Sequence, residues 1–126
     1  MKKVLIVEDN EKNLKLFKLI LESKGYTSIT ATNGKDGIRV AAEQMPDLIL
    51  MDIQMPVMGG VDALRALKES EKTRSIPVIA STAFAMKGDK ELFLDFGFDA
   101  YISKPIRVKE FLEAIESALK KGAPSR

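Results

Sequence analysis

Short apolar runs alternate five times with amphipathic stretches, and this alternation constrains the fold more than any other feature of the chain. Lys3 to Val7, Ser28 to Thr32, Leu48 to Met51, Val78 to Ser81 and Ala100 to Ile102 read as strands. The first, third and fourth are near-continuous Val, Ile, Leu, Ala or Met, the pattern of strands covered on both faces. Between the runs, apolar residues return at helical spacing: Leu14, Phe17 and Leu21, then Ile38, Ala41 and Ala42, then Ala63, Leu64 and Leu67. Leu92 with Phe96, and Phe111, Leu112, Ile115 and Leu119, continue the series. Gly25, Asn33-Gly34, Pro46, Gly59-Gly60, Pro77 and Gly97 fall at the junctions. A strand-helix repeat with short connections folds as a parallel sheet with helices on both faces. The expected architecture is α/β, a flavodoxin-like (βα)5 doubly wound parallel sheet with strand order 2-1-3-4-5. At 126 residues the chain fills one such domain. The expected division is a domain over residues 1–121, a short tail over 122–126 and no output domain.

The chain has no Cys and no His. That excludes a thiol nucleophile, a Ser-His-Asp triad, an imidazole base and an ordinary zinc site. Any chemistry falls to carboxylates, hydroxyls, lysines and the backbone. Twenty basic against eighteen acidic residues give +2, with no basic cluster longer than Lys2-Lys3 or Lys120-Lys121, so nucleic acid is not an expected partner. No run approaches the ~20 apolar residues of a membrane span, and the N-terminus lacks the features of a signal peptide. A soluble, cytoplasmic protein is expected.

Ligands of open parallel sheets bind at the carboxyl ends of the strands, where strand order reverses. In the order 2-1-3-4-5 that point lies between the first and third strands, which end in Glu8-Asp9 and in Asp52. Asp9 can be read as a helix cap, since Asp is favoured there. Asp52 follows four apolar strand residues, and the next helix does not begin until about Gly60, which argues against a capping role. Three converging acids repel unless a cation neutralises them, and an all-oxygen site suits Mg²⁺. Thr82 and Lys104 close the fourth and fifth strands at the same edge. A hydroxyl and an ammonium facing a carboxylate supply what a transferring phosphoryl group requires, with the carboxylate as nucleophile.

The set Glu8-Asp9, Asp52, Thr82 and Lys104-Pro105 resembles the receiver domain of two-component response regulators, over residues 2 to about 120. The resemblance implies that Asp52 accepts phosphate from a partner's phosphohistidine. It implies that Asp9, Asp52 and the backbone carbonyl of Gln54 bind Mg²⁺, with Glu8 acting through a water. Thr82 and Lys104 would contact the phosphoryl group, Thr82 and Tyr101 would form the switch, and the Lys104-Pro105 peptide would be cis. Gln54 and Phe84 would tune the lifetime of the phosphorylated state. Phe84 cannot orient an attacking water, which predicts slow self-dephosphorylation. Val4 to Glu11 and Thr82 to Asp89 look most like stand-alone members of the family. Ser81 departs from the pattern, being polar where the family usually has an apolar residue.

The expected partners are a sensor histidine kinase or a histidine phosphotransfer protein, and a downstream protein. The downstream protein would be met through the fourth helix, fifth strand and fifth helix, including Ala85 to Phe96, Tyr101 and Ile106 to Glu110. Leu16, Leu19 and Ile20 broaden the apolar face of the first helix and offer a second surface. A monomer or weak dimer is expected. Two other readings fit the same acids: a receiver excised from a hybrid histidine kinase, and an aspartate-based Mg²⁺-dependent phosphatase. The short loops argue against the phosphatase.

Overall fold

The computed structural model describes residues 2–53, 58–82 and 89–122. Five strands, β1 (Lys3–Val7), β2 (Thr27–Ala31), β3 (Leu48–Asp52), β4 (Val78–Thr82) and β5 (Ala100–Ser103), alternate with five helices. The helices are α1 (Glu11–Ser23), α2 (Gly34–Gln44), α3 (Gly60–Glu69), α4 (Asp89–Phe96) and α5 (Val108–Gly122). The strands are all parallel, in the order β2-β1-β3-β4-β5, as the alternation predicts. β2 starts one residue earlier than its apolar pattern indicates, and β3, β4 and β5 each run one residue further, taking in Asp52, Thr82 and Ser103.

Side chains alternate across the sheet and divide the core in two. Leu5, Val7, Ile49, Met51, Val78 and Ala80 pack with Ala41 of α2, Leu64 and Leu67 of α3 and Phe93 of α4. Val4, Ile6, Leu48, Leu50, Ile79 and Ile102 pack with Phe17 and Leu21 of α1 and Phe111 and Ile115 of α5. Phe17 and Phe111 stack at 5.4 Å, joining α1 to α5. Burying each such side chain contributes roughly 1.5–3 kcal/mol.

Two apolar patterns resolve differently from expectation. On α4 the residue turned into the core is Phe93, while Leu92 and Phe96 are about half exposed. Phe93 stacks on Tyr101 at 5.4 Å and meets Phe98 edge-on at 6.1 Å, and these partners set the helix rotation. On α1, Ile20 is buried in the second core and leaves Leu16 and Leu19 as the exposed pair.

At the amino ends of the strands one device occurs twice. The Lys3 backbone N–H donates to Asp47 Oδ2 at 2.8 Å, and the Asp47 N–H donates back to the Lys3 carbonyl. The Val78 N–H donates to Asp99 Oδ2 at 2.8 Å, and the Asp99 N–H donates back to the Val78 carbonyl. Each aspartate precedes one strand and terminates its neighbour. Gly25, at φ +86°, ends α1 in the left-handed region that glycine reaches without strain.

Candidate functional site

The carboxyl edge of the sheet is built by register. Asp52 continues the alternation of Leu48 and Leu50, and Glu8 that of Val4 and Ile6, so both acids emerge on the α1/α5 face. Val7 pairs with Met51, which sets Glu8 alongside Asp52. Asp9 joins them because Asn10, not Asp9, caps α1: the Asn10 side chain accepts from the Asn13 N–H at 3.1 Å. One carboxylate oxygen from each of Glu8, Asp9 and Asp52 lies within 4.8 Å of the others. Glu8 and Asp52 are buried and Asp9 is exposed, so the cluster opens to solvent on one side.

Lys104 reaches into this cluster from the far strand. Its Nζ lies 2.7 Å from Glu8 Oε1 and 3.5 Å from Asp52 Oδ2, with the side chain only 13% exposed. Glu8 uses its second oxygen as well, accepting from the Asn10 N–H at 3.2 Å. The one ammonium therefore offsets part of the negative charge of two buried acids. The Glu8–Lys104 pair is not evident in the sequence, where the two residues are 96 positions apart. The Lys104–Pro105 peptide is cis.

Thr82 belongs to the other row of side chains. It follows Val78 and Ala80, which pack under α2, α3 and α4, in strand alternation, and is buried at the end of β4. Tyr101 pairs with Ala80 in register and packs on that same face, with its ring on Phe93. Thr82 and Tyr101 thus share one row of side chains across β4 and β5, and Asp52 and Lys104 meet at 3.5 Å. Gln54 and Phe84 lie outside the described residues, as do Ala85 to Gly88 of the expected output surface.

Gly60 matters more than its place in a loop-to-helix junction indicates. A Cβ there would sit 2.5 Å from the Asp52 carbonyl oxygen and 2.8 Å from Ile53 Cα. The first turn of α3 therefore lies directly on the backbone that carries Asp52, an approach that only glycine permits. The adjacent Gly59-Gly60 pair in the sequence marks the junction, whereas the contact depends on how α3 docks.

The donor set is oxygen only and anionic, with one exposed acid, which fits a small hard cation such as Mg²⁺. No described helix is long and apolar enough to cross a membrane.

Comparison with known proteins agrees with this geometry. Residues 4–116 match the response regulator receiver domain. The chain is 52% identical over 118 residues to the polar-differentiation response regulator DivK of Brucella anthropi, an alignment covering 94% of this chain and 96% of that protein. DivK of Brucella abortus matches over the same shares at the same identity. Among solved structures, the receiver domain of a sensor histidine kinase from Pseudomonas aeruginosa PAO1 is 34% identical with a TM-score of 0.87, covering 94% of this chain and 98% of that one. That crystal holds a magnesium ion coordinated in the active site cleft. A CheY-like receiver domain protein from Methanospirillum hungatei JF-1 has a TM-score of 0.89 at 29% identity, over 100% of this chain and 99% of the other. The matched span takes in every residue from Glu8 to Lys104 that builds the acidic edge, and the chain belongs to the response regulator receiver family of two-component signalling.

Proposed function

We propose that this protein is a DivK-like, stand-alone cytoplasmic regulator whose Asp52 receives a phosphoryl group from a histidine kinase or histidine phosphotransfer protein. The observation that carries the proposal is the buried Asp52, grouped within 4.8 Å of Glu8 and Asp9 and lying 3.5 Å from the Lys104 ammonium. In the transfer, an Asp52 carboxylate oxygen bonds to phosphorus as the P–N bond of the phosphohistidine breaks. The imidazole nitrogen leaves with the electron pair and remains on the partner, which accounts for a chain without histidine doing this chemistry.

Asp9, Asp52 and the Gln54 backbone carbonyl would hold Mg²⁺, with Glu8 beside them. Bound there, the ion supplies positive charge to offset that of the phosphoryl oxygens. The Lys104 ammonium, already between Glu8 and Asp52, turns from Glu8 toward the new oxygens, and Thr82 supplies a hydroxyl donor. Such charge-assisted bonds are the strong ones. Burial of Asp52 limits access by water, and the bulky Phe84 would slow the loss of phosphate further.

Drawing Thr82 toward the phosphoryl group frees space on the α2/α3/α4 face beside Tyr101. Tyr101 also lines a cavity of about 420 Å³ with Lys104, Pro105, Arg107 and Glu110, between β5 and the start of α5. A ring that moves there alters the α4–β5–α5 surface offered to a downstream protein. Driving such a two-state change from 1:99 to 99:1 takes about 5.5 kcal/mol of differential affinity, much of which a few charge-assisted bonds supply. The regulator acts as a monomer or weak dimer in this scheme.

Incubation with acetyl phosphate and Mg²⁺, followed by peptide mass spectrometry, tests the assignment. One phosphoryl group per chain, on Asp52, is expected. Phosphate on Ser or Thr, continuous turnover of small phosphate esters, or no labelling would each overturn it.

A further inference from the structure

Ser81 is buried, and its hydroxyl has no hydrogen-bond partner among the described residues. It pairs in register with Asp52 on one side and with Ile102 on the other. By strand alternation it lies on the α1/α5 face with Ile79, the face from which Asp52 and Glu8 also emerge. Lys104 belongs to the end of β5, yet its ammonium sits at Glu8 of β1 and Asp52 of β3. Between β5 and the two acids lies β4, whose row of side chains on this face ends in Ser81. A buried hydroxyl left without a partner is destabilising, and an apolar side chain of similar size would pack there at less cost.

We infer that Ser81 is a positioning residue for Lys104. When the ammonium leaves Glu8 for the loaded Asp52 it moves toward β4, where the Ser81 oxygen, beside Asp52 in register, accepts one of its three N–H bonds and holds it over the phosphoryl group. The hydroxyl rotor is free to turn its own hydrogen away and present a lone pair. The inference rests on the proposed phosphorylation of Asp52, since without it Lys104 has no second station.

Fluoroberyllate, a phosphoryl mimic, titrated in Mg²⁺ and followed by NMR, tests this together with urea melts of the unloaded protein. Ser81→Ala is expected to keep or raise the unloaded urea midpoint while weakening fluoroberyllate binding about tenfold, as loss of one bond to a charged group would. Ser81→Thr, which keeps the hydroxyl, restores the affinity. In a Lys104→Met background the same Ser81→Ala change is expected to alter affinity by less than about twofold, because the group it positions is gone. Wild-type affinity in Ser81→Ala, or an equal loss with and without Lys104, would overturn the inference while leaving the Asp52 assignment intact. Failure of the wild-type protein to bind fluoroberyllate would overturn both.

Discussion

The two ends of the sheet use the same residue type in opposite ways. At the amino ends, Asp47 and Asp99 each accept from a backbone N–H at 2.8 Å, so their carboxylates satisfy main-chain donors that would otherwise end unpaired. At the carboxyl ends, Glu8, Asp9 and Asp52 lie close together, and the Lys104 ammonium reaches Glu8 and Asp52. One end spends its acids on the fold. The other keeps them close together, in an arrangement that gains stability only when positive charge is present, and so responds to whatever brings or removes that charge.

The largest effect that separates the ends is expected from Lys104→Met, which keeps the stem and removes the cation. Glu8 is then buried without its ammonium, and urea melts are expected to show a loss of about 3–5 kcal/mol, the range for breaking one side of a buried pair. Added Mg²⁺ should recover part of this loss, and a variant insensitive to Mg²⁺ would break the comparison. Next comes Asp99→Ala, expected to cost about 1–3 kcal/mol by leaving the Val78 N–H without its acceptor, with no dependence on Mg²⁺. Asp99→Asn, which keeps an acceptor oxygen, should lose less.

A smaller effect of opposite sign is expected at Asp9. Asp9→Asn relieves repulsion in the unloaded cluster and should leave stability unchanged or raise it by up to about 1 kcal/mol, while calorimetry shows weaker Mg²⁺ binding. Asp9→Asn that lowered both would show that Asp9 serves the fold as Asp47 does. The smallest effect lies away from both ends. Burial, with a further contribution from the Glu116 carboxylate, raises the Tyr26 hydroxyl above its ordinary value of 10.0. A raised acid stabilises the folded state below its unfolded value and loses that contribution as pH rises through the folded one. Wild type and Tyr26→Phe should therefore share one stability profile through neutral pH, and wild type should fall faster only in the alkaline range above about 10.

The sheet is legible because β1, β3 and β4 are nearly continuous in apolar residues, the pattern of strands covered on both faces. The acids at its edge are legible for the same reason, since a carboxylate ending such a strand has few structural uses. α4 is less so: eight residues carrying Leu92, Phe93, Leu94 and Phe96 fit more than one helical stripe, and Phe98 with Tyr101 decides between them. At the start of α1 two cap-forming residues stand together, and the choice of Asn10 leaves Asp9 to the cluster. The Glu8–Lys104 pair and the approach of Gly60 to Asp52 depend on distances between elements, which spacing along the chain does not encode. Ser81 stands out in the sequence as a departure, but its relation to Asp52 comes from the register of β3 with β4.

The most direct test of the contrast sets three proteins side by side after treatment with acetyl phosphate and Mg²⁺: wild type, Asp52→Asn and Asp99→Asn. Intact mass spectrometry is expected to show one added phosphoryl group on wild type and on Asp99→Asn, and none on Asp52→Asn. Labelling retained by Asp52→Asn, or lost from a folded Asp99→Asn, would contradict the assignment of the acceptor to the carboxyl edge of the sheet.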